Sequence, residues 1–192
     1  MLCARVSVLI VCAAALYAQQ PAPSNSPSSG LEMPWEITPV IQEIGSHADR
    51  LLTALDRVDA KRWVEKGASE TYAGQLQSCK EQTRALSDGA KALARSPEQL
   101  AASIELFFRI QSIEAMLGSI QEGMRKYQSA ADAQALAGVG AEGAANRDRF
   151  QRYIVALAAD RDKQLAIMDK EAQRCRATLT APSTVSKSGK KK

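Results

Sequence analysis

The chain has 192 residues, room for one ordinary domain or two small ones. Apolar residues make up 45% and charged residues 24%, a balance that excludes both a disordered chain and an integral membrane protein. The formal charge of +4, from 25 Lys and Arg against 21 Asp and Glu, invites an anionic partner, yet the excess sits at the ends. Arg5 precedes residue 19, and Lys187, Lys190, Lys191 and Lys192 close the chain. Without those five, 20 basic residues face 21 acidic ones, so residues 19–186 carry about −1.

Arg5 is followed by Val6-Ser7-Val8-Leu9-Ile10-Val11-Cys12-Ala13-Ala14-Ala15-Leu16-Tyr17-Ala18, a short apolar run behind one positive charge. That is the pattern of a secretory signal peptide over residues 1–18, with cleavage expected after Ala18, or after Ala15 because Leu16 is large for its position. A membrane span needs roughly 20 apolar residues, so no transmembrane segment is expected once the signal is removed. Cys12 follows Val11 in mid-run, which argues against a lipoprotein site.

Residues 19–33 read as a flexible spacer, because QQPAPSNSPSSG holds three prolines, four serines and no charge. Residues 181–192 read as a disordered basic tail. Between them, residues 34–180 carry four helical apolar stripes. The first holds Ile37, Ile41, Ile44, Ala48, Leu51, Leu55 and Val58, with Thr38 and Pro39 placed as N-cap and first-turn proline. Asp59 to Gly67 predicts a short turn of helix that closes the bundle end with Trp63. The second stripe holds Tyr72, Leu76, Cys79, Thr83, Leu86, Ala90 and Leu93.

Ser96-Pro97-Glu98-Gln99 matches a capping box for the third helix, whose stripe runs Leu106, Ile110, Ile113, Leu117, Ile120, Met124, Tyr127 and Ala131. Ala137 to Gly143 holds three glycines and reads as a mobile loop. The fourth stripe is Phe150, Ile154, Leu157, Leu165, Met168, Ala172, Cys175 and Leu179. No segment alternates with period two. Four helices of roughly 20 to 35 residues joined by short connections predict an all-α, antiparallel four-helix bundle between the spacer and the tail.

Gly138-Val139-Gly140-Ala141-Glu142-Gly143 matches G-x-G-x-x-G, but dinucleotide binding needs a preceding strand, and Ser129 to Ala137 is alanine-rich and helical in pattern. His47 is the only histidine and shares a face with Glu43, too few ligands for a di-iron bundle. A haem would need His47 with Met116, Met124 or Met168, and covalent attachment is excluded because no C-x-x-C-H occurs. A histidine beside a core stripe is ordinarily a packed, hydrogen-bonded side chain. No serine or cysteine lies in a nucleophile context, and carboxylates such as Glu81 and Asp160 lie among basic residues, so no catalytic, cofactor or metal site is expected.

Cys79 and Cys175 remain after signal removal, and export makes a disulfide between them the natural candidate. Cys79 lies about 25 Å along a continuous helix from the Ser96-Pro97 turn, so the bond requires a helix break at Ser87-Asp88-Gly89. The alternative is two buried thiols. Lys187, Lys190, Lys191 and Lys192 are candidates for contact with an anionic envelope surface. Nucleic acid is excluded as a partner by export and by the lack of aromatic interleaving. Leu100, Ile104, Phe107 and Phe108 form a face available for self-association. Together these features predict a secreted or periplasmic, non-enzymatic bundle acting through protein or surface contacts, with a carrier of haem or a small apolar ligand as the alternative.

Overall fold

The structure, a computed structural model, describes residues 31–180. The expected signal peptide (1–18), the spacer as far as Gly30 and the basic tail (181–192), with its lysines, lie outside the described residues. Six helices and no strand occur among the described residues: α1 Pro34–Leu55, α2 Ala60–Glu65, α3 Thr71–Leu93, α4 Leu100–Tyr127, α5 Ala130–Glu142 and α6 Ala144–Thr180. They form an all-α four-helix bundle. Three positions are held by α1, α3 and α4; the fourth is shared by α5 and the first half of α6. Successive positions of the bundle pack side by side, α1 on α3, α3 on α4 and α4 on α5, and α1 closes the ring against α6.

Cross-contacts set the directions. Trp63 donates from Nε1 to Gln128 at one end, His47 meets Val139 midway, and Tyr153 donates to the Pro97 carbonyl at the other end. The chain therefore runs up, down, up and down, with α5 and α6 antiparallel to both α1 and α4.

The stripes fill the core as their spacing predicts. Ile37, Ile41, Ile44, Ala48, Leu51, Leu55 and Val58 are all buried, as are Leu76, Cys79, Leu86 and Leu93 opposite them. Asp59 caps α2 by accepting from the Arg62 N–H at 3.1 Å, and Gly67 ends it with φ at +90°. Trp63 is 1% exposed and closes that end, edge-on to Tyr72, which meets Tyr127 in turn.

Several boundaries differ from the sequence expectation. Helix α1 starts at Pro34, not at Thr38, because Glu36 accepts from the Met33 N–H at 2.9 Å and closes the first turn earlier. Pro39 then lies inside the helix, and Thr38 donates its hydroxyl to the Pro34 carbonyl. The end of the expected spacer is part of the fold: Leu31 packs against the core and Glu32 pairs with Arg149. The Ser96–Gln99 capping box does not form, and α4 starts at Leu100 after a turn. The physical reason is that α6 takes the turn's carbonyls, Tyr153 bonding Pro97 and Arg161 bonding Glu98. Helix α3 runs unbroken through Ser87-Asp88-Gly89.

The largest difference is at the glycine-rich segment, which is helix rather than loop. Helix α4 stops at Tyr127, and Ser129 caps a new helix by accepting from the Ala131 and Asp132 N–H groups. Ala133 and Leu136 bury the inner face of α5, and Gly143 joins it to α6. The fourth position of the bundle thus begins near residue 130. Helix α1 has 22 residues, about 33 Å, whereas α5 and α6 have 13 and 37, roughly 75 Å in all. The second half of α6 therefore overruns the bundle.

Candidate functional site

Two places stand out: the interior beside His47 and the overrunning half of α6. Helix α1 points His47 at the junction of α5 and α6, where Nε2 lies 2.7 Å from the Val139 carbonyl and so donates to it. A Cβ on Gly143 would come within 2.7 Å of the imidazole Nδ1 and Cε1, so only glycine lets the junction pass this close. The cavity beside them is about 30 Å³, lined by Ile44, Leu51, Leu86, Ile110 and Leu117 and rimmed by the Glu114–Arg147 ion pair. That is room for about one water; a small-molecule pocket is roughly 300–1,000 Å³. Haem has no room there as the core is packed.

The other expected ligands point elsewhere. Glu43 accepts from Arg50 at 2.8 Å, Met124 is in the core, and Met168 lies exposed on the far half of α6. No cluster of three His, Cys, Asp or Glu side chains suited to a metal occurs among the described residues. His47 is a latch that ties α1 to the α5–α6 junction.

Larger concavities are open grooves on the surface. One of about 460 Å³ lies between α3 and α4 beside Ala85, Gly89, Ala92 and Ala102. Of its two arginines, Arg95 and Arg109, the second is engaged with Gln82 at 2.6 Å. Among the groups with displaced pKa values, Arg50, Arg147 and Arg149 are raised by their carboxylate partners and Lys126 by Tyr127, while burial pushes the Cys79 thiol up to about 11, and burial together with the Glu98 charge raises the Tyr153 phenol. Neither Cys79 nor Tyr153 faces a groove of this kind.

The overrun is different in character. Every residue from Asp162 to Leu179 is exposed. Leu165, Met168, Ala172, Cys175 and Leu179 repeat at alternating intervals of three and four, on the side of α6 that presents Phe150 and Leu157 to the bundle further back. The expected fourth stripe is real, but among the described residues its second half has nothing against it: Leu165, Met168 and Leu179 are 60%, 58% and 85% exposed. No helix among the described residues is long and apolar enough to cross a membrane.

This geometry also separates the two cysteines. Cys79 is buried in the core and Cys175 is exposed, both as free thiols. Cys175 stands fourteen residues past Arg161, about 21 Å beyond the bundle end, and the unbroken α3 cannot bring Cys79 to it. On α4, half of the expected self-association face is used internally: Leu100 and Phe107 pack against the core, leaving Ile104 and Phe108 outward. What sequence reasoning missed was α5, for which Ser129 followed by Asp132 in the first turn was the available signal. Compared with known protein families, curated proteins and solved structures, the chain matches none.

Proposed function

We propose that this chain is an exported, non-enzymatic helical-bundle protein of the cell envelope or extracellular space that acts by contact, with the overrunning half of α6 as its contact element. The observation that carries the reading is the run from Asp162 to Leu179, wholly exposed yet striped with apolar side chains. A helix in water with that pattern normally gains its stability from a partner face. The leader-like pattern ahead of residue 19 supports export. The four lysines that follow α6 in the sequence supply charge for an anionic-surface contact.

Fractionation of the host cell with mass spectrometry of the N-terminus tests this. A chain beginning at Leu16 or Gln19 in the envelope or medium is expected. A version ending at Arg161 should lose its co-fractionation there. Retention of Met1 in the cytoplasm, or identical partition of the shortened chain, would refute the proposal.

A further inference from the structure

The stripe on the overrun has a size order as well as a period: Leu165 and Met168 are large, Ala172 and Cys175 small, and Leu179 large again. Building on the contact role proposed above, we infer that the stripe is covered by a second copy of this chain, the two α6 helices running antiparallel about residue 170. In that register Leu165 lies against Cys175 of the second copy and Met168 against its Ala172, with the reciprocal pairs on the other side of the two-fold axis. Large meets small in each central layer, which is how facing helix positions fill space. Leu179 falls beside the aliphatic stem of Arg161, whose guanidinium is held by the Glu98 carbonyl.

The bundle itself selects this direction. The apolar side of α6 carries the bundle up to Arg161, where the α3–α4 turn bonds it through the Glu98 carbonyl, so a parallel neighbour would drive its residues 144–160 into the bundle. An antiparallel neighbour leaves past the free end of α6, and its own bundle lies beyond Leu179. A lipid surface fits less well: Asp162 and Asp169 lie with Arg176 on one flank of the stripe and Glu171 on the other, a mixed rim where a membrane-surface helix carries mainly Lys and Arg.

The contact is modest. Each helix face is about 22 Å by 10 Å, and a standard interface buries about 1,200 Å² or more. Asp169 and Glu171 also approach their own copies near the axis. The pair is therefore weak and reversible, with a Kd between about 1 μM and 1 mM.

Sedimentation equilibrium across that range, on protein expressed with its own leader and purified from the host, tests the inference. The unchanged chain should form a reversible dimer. Leu165→Glu and Met168→Glu should be monomeric throughout, while Ile167→Glu, equally exposed on the opposite side of α6, should dimerise as before. Treated with diamide as oxidant, Leu165→Cys should cross-link to Cys175 of the second copy, and the unchanged chain should cross-link far less. A monomer at every concentration overturns the inference. So do a dimer indifferent to Leu165→Glu, an unchanged chain that cross-links through Cys175 as well as Leu165→Cys does, and a monomer that binds phosphatidylglycerol vesicles through the stripe. Those results leave the broader contact role standing, since that is decided by the fractionation experiment above.

Discussion

Gly123→Ala should destabilise the bundle, although alanine is the better helix former. Helix α4 passes beneath the aromatic plug at this residue, and a Cβ there would lie 2.7 Å from Trp63 Cζ3, 2.9 Å from Tyr72 Cε1 and 3.2 Å from Trp63 Cε3. Carbon atoms rest about 3.5–4.0 Å apart, so the rings must move. Trp63 has little freedom to do so: it is buried, bonded through Nε1 to Gln128 at 3.2 Å, and stacked edge-on with Tyr72 at 5.8 Å between centroids. Overpacking of this kind costs about 1–3 kcal/mol, against a helix-propensity gain of about 1 kcal/mol for replacing glycine. Gly118 supplies the control, because it lies in the same helix with nothing within 4 Å of its would-be Cβ. Gly118→Ala keeps the whole propensity gain, so the two variants should differ by about 1–3 kcal/mol in opposite directions. In thermal unfolding each kcal/mol moves the Tm by roughly 2–4 °C for a chain of this size. If both variants raise the Tm equally, the close approach of α4 to Trp63 is refuted. Trp63→Leu in the Gly123→Ala background should recover part of the loss relative to Trp63→Leu alone, which isolates the contact from propensity.

Three further outcomes follow from the same geometry. Burial raises the Cys79 thiol from 9.0 to about 11, so the folded state holds the proton longer than the unfolded chain. That stabilisation is complete below pH 9 and is lost as the pH rises to about 11, by up to about 1.4 kcal/mol per pH unit. Urea unfolding across this range should show a flatter pH dependence for Cys79→Ala; equal slopes would refute it. Tyr153→Phe removes the 2.9 Å bond to the Pro97 carbonyl and should cost about 1 kcal/mol in urea unfolding, whereas no change would mean the α3–α4 turn does not depend on α6. Ending the chain at Arg161 should alter bundle stability by less than about 0.5 kcal/mol, because every residue from Asp162 to Leu179 is exposed; a large loss would place that segment against the bundle.

Much of the fold is legible in local pattern. The intervals of three and four through Ile37, Ile41, Ile44 and Ala48 specify a buried helix face without any knowledge of what it faces. Asp59 and Gly67 bracket α2 because capping and left-handed backbone are properties of one or two residues. The glycine-rich segment was illegible for the opposite reason. Its three glycines read as freedom, but Gly143 is there because the His47 ring lies against the backbone, and α5 is held by contacts of Ala133 and Leu136 with distant helices. The capping box at Ser96 fails in the same way, since the carbonyls of that turn are claimed by side chains more than fifty residues away.

The candidate site shows the division most sharply. By itself the sequence determined that Leu165, Met168, Ala172, Cys175 and Leu179 lie on one side of a helix, since helical periodicity is a property of the chain alone. Whether anything covers that side is a matter of lengths that no local pattern contains. The 22 residues of α1 set the height of the bundle, α5 occupies the start of the fourth position, and so α6 reaches the bundle end near Arg161 with its stripe unfinished. Tertiary structure thereby turned one half of a continuous apolar stripe into core and left the other half as surface.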